Sequence, residues 1–393
     1  MGLKKLTADY IFDGYQLLKD TVVLIKKDGI IEGLRGVQEV DPATVETFKG
    51  ILCPGFINTH CHLELSHLKG MIATGTGLPG FVSQVMRLRH FEKEEILSAI
   101  READQNMWQD GIQAVGDICN TPDTLPQKRT TSIRYRNFVE CLGFLPEQAD
   151  SRFDYSQKQV YEPLHVSNPA TTMVPHAPYS VSPALFKKIN TFIQKVPATK
   201  DRIISIHNQE SAPENEFFQK GTGLFCDFYK KMGVDISFYK PSGRTSLQTV
   251  LQEMNAARKL LLIHNTFSTR EDLSYAKQTG NTNDQSIYFI LCPGANLYIE
   301  SRLPDIKCLM EEEVQIALGT DSLASNHTLS IAHEIQQLLK AYPDINKQML
   351  LQWATLNGAR ALGFDDDLGS FEKGKCPGIL LLSKELDFIQ RIC

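Results

Sequence analysis

No stretch of this chain approaches the ~18 uninterrupted apolar residues of a spanning helix, so nothing in it is expected to enter a membrane. The N-terminal MGLKKLTADYIFDGY reaches charge and turn residues before any apolar run, and so reads as having no signal peptide. Gly2 lacks the Ser or Thr four residues on that myristoylation requires, since Leu6 stands there. Basic blocks are missing as well. With 41 Lys+Arg against 46 Asp+Glu, the formal charge is -5, which offers phosphates no electrostatic footprint and argues against nucleic acid as a partner. There is no C-x-x-C pair among the nine cysteines, an odd and scattered set that reads as free thiols in a reducing cytoplasm. The one glycine-rich stretch, GTGLPG at 75–80, has no Lys-Ser/Thr of a P-loop and is expected to be a loop.

What is present is an ordinary globular composition, 42% hydrophobic and 22% charged, which excludes disorder and fibrous repeats. At ~150 residues per domain, 393 residues allow two or three units, or one large barrel with an attachment. Short β-rich runs recur eight times: GFINTHCH (55–62), AVGDIC (114–119), IRYRNFVEC (133–141), TTMVPH (171–176), RIISIH (202–207), KLLLIH (259–264), IYFILC (287–292) and VQIALGTD (314–321). Between them lie stretches such as EKEEILSAIREADQNMWQDG and SPALFKKINTFIQKV, with apolar residues every three to four positions, as amphipathic helices require. Strands alternating with helices imply a parallel sheet, because only a crossover returns the chain to begin a parallel neighbour. Eight such units predict an α/β fold of the (β/α)8 TIM-barrel type, and His60 and Asp321 stand about 260 positions apart against ~250 residues for such a barrel. An open doubly wound sheet would carry fewer strands and a Gly-rich phosphate turn after the first. Residues 1–54 and 365–393 share a different texture, short β pieces broken by Gly and Asp. They are expected to form one small β-sandwich domain from both termini, beside a barrel of residues 55–364.

Several strand-like runs end in a possible metal ligand: His60 and His62 on the first, His207 on the fifth, His264 on the sixth, Asp321 on the eighth. Active sites of this architecture form at the C-terminal ends of the strands. A single histidine on an apolar strand is more often a satisfied core residue than a ligand, but unrelated core histidines have no reason to gather at the same end of separate strands. Residues i and i+2 of a strand share a face, so His60 and His62 can both point into the barrel mouth. His207 and Asp321 would complete a four-ligand set of three nitrogens and an oxygen with room for a water. Glu210, just past the fifth run, can reach that water and a substrate without being a ligand, as a proton shuttle must.

PGFINTHCHLELS resembles the first-strand motif of the amidohydrolase superfamily, and IHNQES, LIHNTF and LGTDSLASN resemble its fifth, sixth and eighth strand-end motifs. CPGANL (292–297) and ATLNGARALG (354–363) follow the same layout, so the resemblance covers nearly the whole chain. The branch it resembles is that of cytosolic deaminases and chlorohydrolases, with guanine deaminase and the methylthioadenosine/S-adenosylhomocysteine deaminases; HLELS and AVGDICN are most similar to the aminofutalosine deaminases. The resemblance implies a mononuclear enzyme with His60, His62, His207 and Asp321 holding one divalent metal, zinc or alternatively iron(II). It also implies that Glu210 shuttles protons, that His264 orients the attacking water beside Asp321, that His176 in PHAPYS contacts substrate, and that Ser325 lies near the leaving group. TTMVPH ends without the Lys or Glu that bridges two metals in other members, which leaves Glu140 as the remaining candidate bridge and favours one metal. Zinc would lower the pKa of its water to about 7 and act as a Lewis acid.

The chain departs from the family pattern at Ala295 before Asn296, at His327, and in CPGILLL near the C-terminus. These positions bear on the substrate rather than on the ligands. His67, His90, His165 and His333 are expected on loops or exposed helix faces, and Arg87, Arg89 and Arg134 read as solvated. Arg136, placed late in the third run, is a candidate anion contact for substrate. The expected activity is a zinc-dependent deaminase releasing ammonia from an aminated purine-like heterocycle or nucleoside. Its rivals are dechlorination or cyclic-amide hydrolysis on the same core, and a catalytically silent scaffold, which tends to lose the ligands that are all present here. The expected partner is a small-molecule substrate, with a homo-oligomer left open.

Overall fold

Each of the eight apolar runs folds as a strand in the computed structural model, which describes residues 2–196 and 202–393. In chain order the strands are Phe56–Cys61, Ile112–Cys119, Arg134–Cys141, Thr171–Pro175, Ile203–Asn208, Lys259–His264, Ser286–Leu291 and Gln315–Leu318. Their near-continuous Val, Ile and Leu content has a simple cause. A parallel sheet is covered on both faces, and every residue of Phe56–Cys61 and of Ile203–Asn208 is buried.

The strands pair in parallel as two half-sheets, first to fourth and fifth to eighth. Two seams join the halves, and neither is a full ladder. At one, the backbone N–H groups of Thr320 and Asp321 donate to the His60 carbonyl at 2.9 and 3.0 Å, beside a parallel bridge between Cys61 and Asp321. At the other, His207 N–H donates to the His176 carbonyl at 3.0 Å. The fourth strand ends at Pro175, which has no N–H with which to extend its ladder. Both seams therefore pass through residues of the expected site, His60 and Asp321 at one and His176 and His207 at the other.

Helices cover the outside of the strands with one apolar stripe each. Pro183–Lys195 begins on Ser182, whose side chain accepts from Leu185 N–H, with proline in its first turn, and buries Leu185, Phe186, Ile189 and Ile193. Lys93–Gln109 likewise buries Ile100, Ala103 and Met107. The GTGLPG stretch is only partly a loop. Gly77 sits at φ 66° and starts the helix Leu78–Leu88 within it, a proline in the first turn costing no helical hydrogen bond.

The chain ends build two further sheets. One contains Lys4–Thr7, Thr21–Ile25, Ile31–Gly36 and Glu46–Thr47; the other contains Tyr10–Phe12, Leu17–Leu18, Ile51–Pro54, Ile379–Leu382 and Phe388–Arg391. Ile51–Pro54 pairs antiparallel with Ile379–Leu382, so N- and C-terminal segments share one sheet. Leu6, Ile11, Val23, Leu52, Phe371 and Ile379 form an apolar cluster separate from the main core. Among the described residues no helix is long and apolar enough to cross a membrane, and all nine cysteines are free.

Candidate metal centre and active site

The C-terminal ends of the strands bring His60, His62, His207, His264 and Asp321 together. His60, His207, His264 and Asp321 each offer a ligand atom within 4.8 Å of all the others. His62 joins through two contacts, Nε2 to Asp321 Oδ1 at 3.3 Å and Nε2 to His207 Nε2 at 3.2 Å. His60 Nε2 lies 3.4 Å from the same Asp321 oxygen. Donors about 2.0–2.1 Å from a tetrahedral zinc stand roughly 3.3–3.4 Å apart, so these three separations fit atoms that share one ion.

The protonation states fit as well. Burial depresses the imidazoles of His60 and His207 to about 4 and that of His62 to about 3, so all three are neutral near pH 7. His207 Nδ1 lies 2.8 Å from the His176 carbonyl, which can only accept, so the proton sits on Nδ1 and the Nε2 lone pair faces His62. Both ring nitrogens of His60 and Nδ1 of His62 are buried with no hydrogen-bond partner. Buried polar atoms without partners are costly, and a cation is the group this donor set would satisfy. Burial favours the neutral form of Asp321, but its contact with His60 and the nearby His62 and His264 rings hold its pKa well below the usual carboxylate range.

Around this centre the other expected residues take definite places. Glu210 is buried, with Oε1 3.6 Å from His264 Nε2; burial first, then the Asp321 and Glu214 charges, raise its pKa well above the ordinary value. Ser325 Oγ donates to Asp321 Oδ2 and lies 2.9 Å from Ser322 Oγ. The His176 ring stands 4.8 Å from that of His207 and contacts Ser180 Oγ through Nδ1 at 2.6 Å. Glu140 is a neighbour of His207 Nδ1 at 3.4 Å and accepts from Asn120 at 2.8 Å. Gln209, His264, Asn265 and Asp321 all have positive φ, from 44° to 74°. Such strain in non-glycine residues persists only where surrounding structure enforces it, and here it marks the ends of the fifth, sixth and eighth strands.

One expectation fails. Arg136 is the third residue of the strand Arg134–Cys141, not a late one, and so lies toward the end opposite the cluster. Its Nε donates to the Leu362 carbonyl and its guanidinium stands over the Phe364 ring, so it supports packing rather than substrate. The expected run and the observed strand begin one residue apart, and Arg136 stands in the first half of both. Of the remaining histidines, His90 and His165 are exposed, while His67 and His333 are half-buried.

Residues that a motif reading passed over hold the loops in place. Glu214 accepts from the N–H groups of Gln209 and Glu210 at 2.9 and 3.2 Å. Glu334 accepts from Gly294 N–H and from the Asn326 amide, each at 2.7 Å. Glu64 Oε2 accepts from Asn120 N–H, Thr121 N–H and Thr121 Oγ1 at 3.0, 2.8 and 3.0 Å. Glu64 had one available signal, its place two residues after His62.

The sequence profile of the amidohydrolase family matches residues 51–391. A curated aminodeoxyfutalosine deaminase of Nitratiruptor sp. is 25% identical over 333 residues, covering 80% of this chain and 75% of that protein. The crystal structure of Helicobacter pylori aminofutalosine deaminase in complex with methylthio-coformycin superposes with a TM-score of 0.82 at 21% identity, covering 99% of this chain and 97% of that one. An atrazine chlorohydrolase from Arthrobacter aurescens, solved with zinc, gives a TM-score of 0.72 at 16% identity over 99% of this chain and 88% of that one. These structural neighbours share the TIM-barrel fold read from the eight strands, and with a profile match over most of its length the chain belongs to the amidohydrolase family.

Proposed function

We propose that this chain is a metal-dependent hydrolase of carbon–nitrogen bonds, a deaminase that replaces the amine of a purine-like heterocycle or nucleoside by oxygen and releases ammonia. The observation that carries the reading is the convergence of three neutral imidazoles and Asp321 at 3.2–3.4 Å, with buried Glu210 held beside His264. The deaminase names of the curated relatives support it. His60, His62, His207 and Asp321 would hold one divalent ion, with zinc the expected metal and iron(II) the alternative. When bound, that ion acidifies water and polarises the attacked centre.

The chain's own residues supply the rest. Asp321 Oδ1 faces the ligand nitrogens and Oδ2 is tied to Ser325, so Asp321 is positioned to take a proton as water adds to the amine-bearing carbon. His264 stands across the site and orients that water. Glu210, whose carboxyl pKa burial pushes well above the ordinary value, is placed to deliver a proton to the adjacent ring nitrogen. The proton taken by Asp321 then passes to the amine, the C–N bond breaks to release ammonia, and the hydroxyl proton returns to Glu210 as the carbonyl forms, with Ser325 beside Asp321 on the departing side. His176 lines the site as a substrate contact. The same reading takes residues 55–364 as the catalytic barrel and residues 1–54 with 365–393 as a small β-sandwich domain, in a cytoplasmic protein whose thiols stay reduced.

Ammonia release by protein of known metal content, measured across adenine and guanine nucleosides, S-adenosylhomocysteine, aminofutalosine and free bases, tests the proposal. Release from one of them is expected. Silence from fully metallated protein would overturn deamination in favour of dechlorination or cyclic-amide hydrolysis.

A further inference from the structure

The Glu210 carboxyl stands 3.6 Å from His264 Nε2, too far for a hydrogen bond to fix it. A group that gives up a proton and recovers it in each turnover cannot be tied through the atoms that carry that proton, so its placement falls to the backbone. That backbone is held from one helical turn further on. Glu214 is fully buried, and its two oxygens accept separately, Oε1 from Gln209 N–H at 2.9 Å and Oε2 from Glu210 N–H at 3.2 Å.

Glu214 is the third residue of the helix Ala212–Lys220, and Ser211 is the N-cap, so the pair has the spacing of a capping box. The box is not made. Ser211 Oγ makes no capping bond and is buried without a partner, while the Glu214 carboxyl reaches past Ser211 to the two residues before it. The carboxyl is thus spent on the stretch that leaves the fifth strand rather than on the helix. Gln209 needs such a hold, since its φ is 44°, and its side chain is gripped as well, accepting from Ser268 Oγ at 2.6 Å and donating to Asp272 Oδ2 at 2.9 Å. Held by these groups after the sixth strand and by Glu214 at both N–H groups, the backbone has one course, and that course aims Glu210. Resting on the deaminase reading above, we infer that Glu214 is the positioning residue of the proton shuttle, fixing the backbone of Glu210 and thereby the distance over which its carboxyl hands a proton to substrate.

A double-mutant cycle on the metal-loaded full-length protein tests this, with ammonia release followed from adenosine, S-adenosylhomocysteine and aminofutalosine. Glu214→Ala should lower kcat roughly 10²-fold, the scale of a catalytic group displaced by about 1 Å, with KM and zinc content unchanged. Glu214→Gln keeps an oxygen for one of the two N–H groups and should lose less; it carries the cycle if the alanine variant does not fold. Combined with Glu210→Gln, either substitution should cost nothing further, to within about twofold, because the group it positions is already gone. Losses that add in the double variant would make Glu214 a general prop of the barrel, and zinc lost from the single variants would place its effect on the ligands. Either result overturns the assignment, as does a normal kcat in both single variants. A near-normal Glu210→Gln, or no ammonia from the unaltered protein with any of the three compounds, would instead overturn the reading on which it rests.

Discussion

The two ends of the same eight strands treat buried polar groups in opposite ways. Toward the N-terminal end, Arg136 is tied to the Leu362 carbonyl and Asn168 donates to the Tyr135 carbonyl at 2.7 Å. At the C-terminal end, nitrogens of His60 and His62 and an oxygen of Glu64 are buried without partners, amid strained backbone at His264 and Asp321. The first end spends its polar groups on holding the chain; the second keeps them available. Cost without local return is what distinguishes a site from a core, and it is visible here within single strands.

The largest expected break in that contrast is His207→Ala, which removes a proposed ligand from the middle of the cluster. Metal analysis should find the ion lost and turnover with it, and a fully metallated variant would show that the ligand set is drawn wrongly. Next is Glu210→Gln, which should retain the metal yet lower turnover by roughly 10²–10⁴-fold. Near-normal rates would remove Glu210 from proton transfer.

Acid should sharpen the comparison. Histidine side chains of the unfolded chain titrate near 6.5, whereas burial holds those of His60, His62 and His207 at about 4, 3 and 4. Between those values the unfolded state binds more protons, so the stability of the metal-free protein should fall as pH drops from about 6.5 to about 3. Urea unfolding at fixed pH values measures this, and a flat profile would mean that the rings are not held neutral. The smallest functional effect belongs to Arg136→Met. It leaves the Leu362 carbonyl without this donor and should cost about 1–3 kcal/mol of stability with kcat and KM unchanged; a selective rise in KM would restore Arg136 as a substrate contact.

Much of this was legible in the residues because the relevant periods are short. The H-x-H pair needs only the two-residue repeat of a strand to place both rings on one side, and runs such as KLLLIH announce their own burial; that strand is observed at Lys259–His264. Arg136 was misread although its strand was placed to within one residue, because it falls in the first half of the run, away from the end that carries the cluster. Glu214 and Glu334 were illegible: nothing in APENEFF or IAHEIQQ tells that a carboxylate turns inward to meet backbone N–H groups of another loop. GTGLPG failed because glycine and proline mark helix starts as well as loops.

The sequence by itself determined which side chains are available as candidate metal ligands, the alternation that places them at strand ends, and the β texture shared by both termini, because these follow from local periodicity and composition. Only the tertiary structure decided which donors stand 3.2–3.4 Å apart, which nitrogen of His207 keeps its proton, and which oxygen of Glu64 is left unfilled. Such facts depend on residues from 31 to 261 positions apart being held together by a common core, and no local pattern encodes a distance of that kind.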